Sequence, residues 1–291
     1  MDTSIEETEP GVVALEPDAE IVSPITYDPA VPSVARMYDL LLGGHFHFQS
    51  DRDGVRDLLK VAPSSVEVAA INRAFLVRTV QTLVRDYGVR QFIDHGSGLP
   101  TQHNVHQIAQ EIHEGCRVVY VDNDPMVMHT GRTVLAGNPN AAVVHADMRD
   151  TEKIFASKAV RDLILPGEPT AALFVSVLHC IPGKGYVPPA RLVRQVRERL
   201  PVGAPAYMAI SQLVSPRPEV RQRITDLMAD LTHGHWGEVR TEEDVEGYFE
   251  GMEILLPGVV EVSRWRPDLA GSRTAQTSDE WTEFGGVARV H

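Results

Sequence analysis

The sequence predicts an α/β fold: a mostly parallel sheet with helices on both faces and a helical cap at its N-terminal side. Three observations carry this. From residue 90 onward, short apolar runs alternate with amphipathic ones. The apolar runs are nearly continuous, as in strands buried on both faces. Three helix-like segments come before the first strand and so stand outside the alternation.

Taken in order, residues 1–30 are acidic, carry Pro10, Pro17, Pro24 and Pro29, and lack periodicity, which predicts a mobile tail. Residues 31–88 form the predicted cap. Residues 33–44 read as a helix with Ser33 as N-cap, stopped by Gly43 and Gly44. Residues 50–63 read as a second, capped by Ser50 and ending before Pro63. A third runs over 64–88, with an apolar stripe from Val68 to Val84 and Gly88 at its end. From 89 to 291 the expected strands are 90–94, 116–122, 141–147, 170–180 and 204–214. The expected helices between them are 104–113, 125–137, 151–164 and 188–200. Helices over 218–231 and 241–251 follow, the latter with Thr241 and Asp244 in a capping-box pattern. Residues 258–265 and 283–290 read as a closing antiparallel hairpin.

At 291 residues with a formal net charge of −13, the chain lacks the basic surface that non-specific nucleic-acid binding needs. No run approaches the length of a membrane span, and the acidic N-terminus is unlike a secretory signal. The only cysteines, Cys116 and Cys180, are too few for a disulfide framework, so a reducing cytoplasm is the expected location.

In a sheet of this kind the ligand sits beyond the carboxyl ends of the strands. The first strand runs into DHGSGLPT (94–101), where Gly96 and Gly98 allow a tight turn without Cβ clashes. The second ends in DND (122–124), placing Asp122 where a carboxylate accepts both hydroxyls of a ribose. The third leads into HADMRD (145–150), where Asp147 is placed to accept an adenine amino hydrogen. The fourth leads into SVLHC, with Ser176 and His179 at the mouth. A dinucleotide loop carries a third glycine and aims a helix N-terminus at pyrophosphate. Here Pro100 and Thr101 follow instead, and Asp94 precedes the first glycine. A carboxylate repels pyrophosphate but attracts the ammonium of an amino acid. The turn therefore favours S-adenosylmethionine (SAM) over NAD.

The segments ARMYDLLLGG, DRDGV, NRAFLVRTV, QFIDHGSGLPTQHNVHQIAQ, VVYVDNDPMV, HADMRD, SVLHCIP, GVVEVSRWRPD and FGGVAR occur in order from about residue 33 to the end. In these the chain resembles the bacterial S-adenosyl methyltransferase family, once a domain of unknown function, within the class I (Rossmann-like) methyltransferases. The resemblance implies a seven-stranded class I sheet with an N-terminal helical cap. It also implies SAM bound by the DHGSG, VDND and HAD segments. The expected cofactor contacts are Asp94, Gly96, Ser97, Gly98, Thr101, Asp122, Asn123, Asp147, Met148 and Ser176, with Tyr38 and Arg73 from the cap. Two departures from the family pattern stand out. His95 replaces an apolar residue, and HFHF (45–48) replaces a K-D-N-[FY]-like run.

His179 is the leading candidate base, since a neutral imidazole can take a proton from an attacking oxygen or nitrogen. His45 and His47 are the alternatives. His179 can equally pack against the methionine end of the cofactor. His95 is expected to turn its side chain away from that end. The chain has neither a CxxC nor an HExxH pattern, so no metal is expected. The reading is a SAM-dependent methyltransferase acting on oxygen or nitrogen of a small molecule, with neither nucleic acid nor membrane as partner. Non-methylating SAM chemistry and a noncatalytic SAM-binding module remain as alternatives.

Overall fold

Five parallel strands build the centre of the molecule: β1 (Gln91–His95), β2 (Arg117–Asp122), β3 (Ala141–His145), β4 (Thr170–Val175) and β5 (Ala206–Val214). This computed structural model describes residues 27–100, 103–182, 187–267 and 280–290. A long strand, β8 (Thr282–Arg289), runs antiparallel to β5 with Tyr207 opposite Arg289 and Val214 opposite Thr282. Two short strands, β6 (Glu253–Ile254) and β7 (Val260–Glu261), pair antiparallel with β8. The sheet order is β3-β2-β1-β4-β5-β8-β6, with β7 also against β8. The expected class I sheet is present, its end split into short strands.

Period-two alternation assigns side chains to the two faces. Phe92 and Leu173 face the long helix α3 (Ser65–Asp86), where Ile71, Phe75, Leu83 and Trp265 complete one core. Ile93, Phe174 and Ile210 face the other way, against Leu192, Val193 and Phe249. Leu192 and Val193 come from α8 (Pro189–Arg197). Helices α4 (Val105–Ile112), α5 (Pro125–Val134), α6 (Thr151–Ala156), α7 (Lys158–Leu163), α9 (Pro218–Leu231) and α10 (Glu242–Gly247) complete the layers. Helices α1 (Val34–Leu41) and α2 (Gln49–Val61) pack on α9 through Met37, Leu58, Ile224 and Met228.

Four expectations are corrected. Ser33 precedes α1 but does not cap it; its hydroxyl donates to Asp124 at 2.6 Å, tying the cap to the turn after β2. Ser50 lies inside α2 and donates to the carbonyl of Pro29, while Asp51 accepts the Phe48 N–H at 2.7 Å. The helix expected over 151–164 breaks at Ser157, which is extended and caps α7 instead. The hairpin expected over 258–265 is paired only at Val260–Glu261. The chain then coils into a 3-10 turn, where the Arg78 guanidinium gathers the carbonyls of Val262 and Trp265 at 2.7 and 3.0 Å. The Thr241–Asp244 capping box forms as expected. The predicted tail lies outside the described residues up to position 26.

Candidate functional site

The carboxyl ends of β1 to β3 bring three acids to one edge. Asp94, near the end of β1, is 6% exposed. No donor among the described residues hydrogen-bonds its carboxylate. Burial pushes its pKa up to about 7; the Arg73 guanidinium on α3 opposes this and Asp122 adds to it. A carboxyl this buried, without a donor or a bonded cation, is suited to receive a cation from outside.

The turn after β1 folds as the glycines dictate. Gly96 and Gly98 have φ of +68° and +66°. A Cβ on Gly96 would lie 2.1 Å from Val177 Cγ2 and 3.2 Å from Met148 Cε, so the turn closes only on glycine. The N–H groups of Gly96 and Ser97 both donate to the Val121 carbonyl. The turn is then pinned by Asp122, which accepts from Gly98 N–H at 2.8 Å and Asp124 N–H at 2.9 Å. Burial raises the Asp122 pKa to about 6, against these hydrogen bonds. Asp122 therefore shapes the turn. Asn123 lies exposed beside it, its carbonyl 3.1 Å from His145 Nε2.

Asp147 is half-buried, and Arg149 Nε meets both of its oxygens at 3.0 Å. Burial raises its pKa, but the Arg149 hydrogen bonds and charge outweigh it and hold the carboxylate below its usual range. Arg73 donates to the His103 carbonyl at 2.6 Å, which joins α3 to the loop before α4. Thr101 lies outside the described residues.

The far side of the mouth is built differently. The strand expected over 170–180 ends at Val175, because Ser176 takes a left-handed φ of +54° and Leu178–Cys180 form a 3-10 turn. Ser176 N–H donates to the Ser211 carbonyl and hydroxyl. The Ser176 hydroxyl donates to Glu283 Oε1. Behind them Ser211 Oγ donates to Asn72 Oδ1 at 2.7 Å, and Asn72 Nδ2 donates to Tyr38 Oη at 2.9 Å. Burial pushes the Tyr38 hydroxyl up to about 12, so it stays neutral. Sequence reasoning placed Ser176 and Tyr38 here but passed over Glu283, Ser211 and the bridging role of Asn72.

His179 is 3% exposed and tilts against Trp236, ring centroids 4.7 Å apart. Its Nδ1 is buried without a partner. Burial, aided by Arg240, lowers its pKa to about 3. The ring is therefore neutral and rests on Trp236. His45 is exposed, while His47 is half-buried and 3.0 Å from Arg52 through Nδ1. Both lie in the loop between α1 and α2, beside Asp39, whose pKa burial raises against the Phe46 N–H and, more weakly, these two rings. His95 turns away from the cleft, fully buried and stacked on Phe174 at 4.6 Å with neither ring nitrogen bonded.

A doubly wound sheet with a two-glycine turn, buried acids after β1 and β2 and a helical cap defines an enzyme that binds an amino-acid-bearing nucleoside. The chain belongs to the S-adenosyl methyltransferase family, whose pattern it matches over residues 22–291. Two solved structures are similar throughout. One is a protein from Thermobifida fusca described as a candidate methyltransferase: 38% identical, TM-score 0.79, covering 89% of this chain and 95% of its own. The other is a DUF574 family protein from Streptomyces avermitilis: 31% identical, TM-score 0.80, covering 90% of this chain and 98% of its own. No curated protein matches the chain significantly. The protein is a SAM-dependent methyltransferase, and the unpartnered Asp94 carboxyl and the glycine-only turn fit that cofactor. No helix among the described residues is long and apolar enough to cross a membrane.

Proposed function

We propose that the enzyme methylates an oxygen or nitrogen of a small molecule that enters beneath the α1–α3 cap. The observation that carries this is the cap's attachment. Ser33 ties α1 to Asp124, and Tyr38 and Asn72 tie α1 and α3 to β5. A substrate reaching Ser176 must therefore enter a roofed cleft, which suits a small molecule better than a polymer. The acidic balance of the chain points the same way.

SAM supplies a methyl group already activated on a sulfonium, so alignment carries much of the catalysis. In our reading Asp94 receives the ammonium, and the Gly96–Gly98 turn with Ser97 lies along the methionine chain. Asp122 and Asn123 hold the ribose, while Asp147 and Met148 border the adenine. Arg73 suits the carboxylate of the cofactor or an acidic group of the substrate. Ser176 and Tyr38 face the reacting end; His179 packs beneath it, and His45 and His47 guard the entrance.

The test is product analysis after incubation with SAM and candidate hydroxyl- or amine-bearing metabolites. S-adenosylhomocysteine (SAH) formed with a methylated product supports the proposal. Methylthioadenosine in its place would mean cyclisation or elimination. Bound SAM with no turnover across the panel would favour a noncatalytic role.

A further inference from the structure

The sheet order divides the mouth. Asp94 lies one residue short of the end of β1, Asp122 ends β2 and Asp147 follows β3, on the half assigned above to the cofactor. The half left for substrate lies over β4, β5 and β8, and there the chain buries an acid with no cation. Glu283, the second residue of β8, is 1% exposed. Its Oε1 accepts from the Ser176 hydroxyl, and its Oε2 has no partner. Among the described residues, neither arginine nor lysine pairs with it. A buried carboxyl left this way is costly unless it stays protonated or its counter-charge arrives with a ligand.

Ser176, just after β4, is the residue that hydrogen-bonds Glu283. It is half-buried, and its φ of +54° is unusual for a residue with a side chain. Such backbone conformations cluster at functional sites, where the surrounding structure holds them. Here the Ser211 carbonyl and hydroxyl hold the Ser176 N–H, and Ser211 is itself held by Asn72. The ionisable groups electrostatically coupled to Glu283 are Tyr38 on α1 and Cys180 after β4. Burial keeps both neutral.

We propose that Ser176 and Glu283 form a proton relay for the attacking nucleophile. The inference rests on the methyltransferase reading above. The lone pair of the substrate oxygen or nitrogen forms the bond to the methyl carbon. The carbon–sulfur bond breaks and its electron pair stays on sulfur. From the ionised state of Glu283, the proton of the nucleophile passes to Ser176 Oγ as the Ser176 proton passes to Glu283 Oε1. A serine hydroxyl can do this because it donates and accepts at one atom. Ser176 is the residue that would touch substrate; Glu283 acts through it. The substrate class that follows is an amine or a hydroxyl compound, whose nucleophile brings a proton to remove.

The probe is sinefungin, the cofactor analogue in which an amine-bearing carbon replaces the methyl-bearing sulfur. Its amine occupies the transfer position, so its affinity relative to SAH reports on this pair without knowledge of the substrate. Calorimetry of the wild type at pH 7 is expected to give tighter binding of sinefungin than of SAH. Glu283→Gln should lower that preference about tenfold or more, the scale of one charge-assisted hydrogen bond, while SAH affinity stays within a few-fold. Ser176→Ala should lower the sinefungin-to-SAH ratio by a similar factor, and the double variant no further. A folded Glu283→Gln protein that keeps the full preference overturns the relay. If that variant does not fold, the wild type decides. Sinefungin binding should release more protons than SAH binding when measured in buffers of different ionisation enthalpy, and equal release overturns the relay. Wild type that binds neither ligand overturns the cofactor-site reading, and the relay with it.

Discussion

The two halves of the sheet's mouth are assembled by different rules. Over β1 to β3, each functional group directly follows an apolar run, because parallel strands all deliver their last residues to the same edge. Over β4, β5 and β8, the groups come from opposite ends of their strands. Ser176 follows β4, but Glu283 starts β8, 107 positions away, and reaches the same edge because β8 is antiparallel. Searching the residues after each strand finds Asp94, Asp122 and Asp147 and misses Glu283. In a sheet with an antiparallel member, the first residues of that strand reach the same edge.

The largest effect expected is on the parallel half. Asp122→Ala removes the acceptor for Gly98 and Asp124 N–H groups as well as the carboxylate proposed to hold the ribose, so the turn and the proposed contact both go. SAM affinity should fall by about a hundredfold or more by calorimetry, the sum of two or three charge-assisted hydrogen bonds. Unchanged affinity would remove Asp122 from the cofactor site. A change on the other half, such as Glu283→Gln, should leave SAH binding nearly intact, so the pair of variants separates the halves.

Asp94 gives the next effect, and it depends on pH. In the free protein its carboxyl has a pKa of about 7, raised by burial. Below that value it is largely protonated, and binding an ammonium must expel the proton. SAM affinity should therefore rise as pH increases from 5 toward 7 and level off above about 8. Asp94→Asn should bind SAM about tenfold more weakly at pH 8 and lose most of the rise between 5 and 7. A pH-independent wild-type affinity would separate Asp94 from the ammonium.

The same buried acids make the free protein sensitive to alkali. Asp94 and Glu283 carry folded pKa values of about 7 and about 8 against ordinary values of 3.8 and 4.5. The folded state thus binds more protons than the unfolded chain between roughly pH 4 and 8, so stability falls as pH rises through that window. Glu283→Gln should flatten the upper part of the fall. At pH 9 its melting temperature is expected to equal or exceed that of the wild type. A variant less stable than wild type at pH 9 as well as at pH 6 would mean that Glu283 holds the fold as a carboxylate.

Most element types and their order were legible because most central strands are largely apolar runs and the long helices carry a stripe. Ends were less so. The apolar run 170–180 gives no sign that the strand stops at Val175, since the stop is set by Ser176 adopting positive φ against Ser211. The run 151–164 gives no sign of a break, since Ser157 is a tolerable helix residue until its hydroxyl finds Val160 N–H. Ser33 looks like a cap in sequence, but tertiary contact with Asp124 takes its hydroxyl. For His179, chain position says nothing of the contact with Trp236 or of the burial that holds its pKa down. Except at Ser157, the deciding partner is remote in sequence.

His95 lies on β1 beside Asp94 but on the opposite face, so its substitution should barely touch the ligand. Its ring stacks on Phe174 at 4.6 Å and 6°, and both nitrogens are buried without a hydrogen bond. Leaving such groups unsatisfied costs roughly 1–3 kcal/mol each, whereas the aromatic contact returns about 0.5–1.5 kcal/mol. Isoleucine removes both unsatisfied atoms and suits a central strand. His95→Ile should therefore stabilise the protein by about 1–2 kcal/mol in urea unfolding at pH 7, with SAM affinity within a few-fold. It should also lessen acid sensitivity. Burial lowers the His95 pKa from 6.5 to about 3, so the unfolded chain takes up a proton in that window that the folded chain refuses, and stability drops as pH falls through it. Replacing the imidazole removes that contribution and leaves that of His179, whose pKa is lowered in the same way. A destabilised His95→Ile protein would show that the stack on Phe174 outweighs the two stranded nitrogens. A large loss of SAM affinity would show that the far face of β1 is coupled to the cofactor turn.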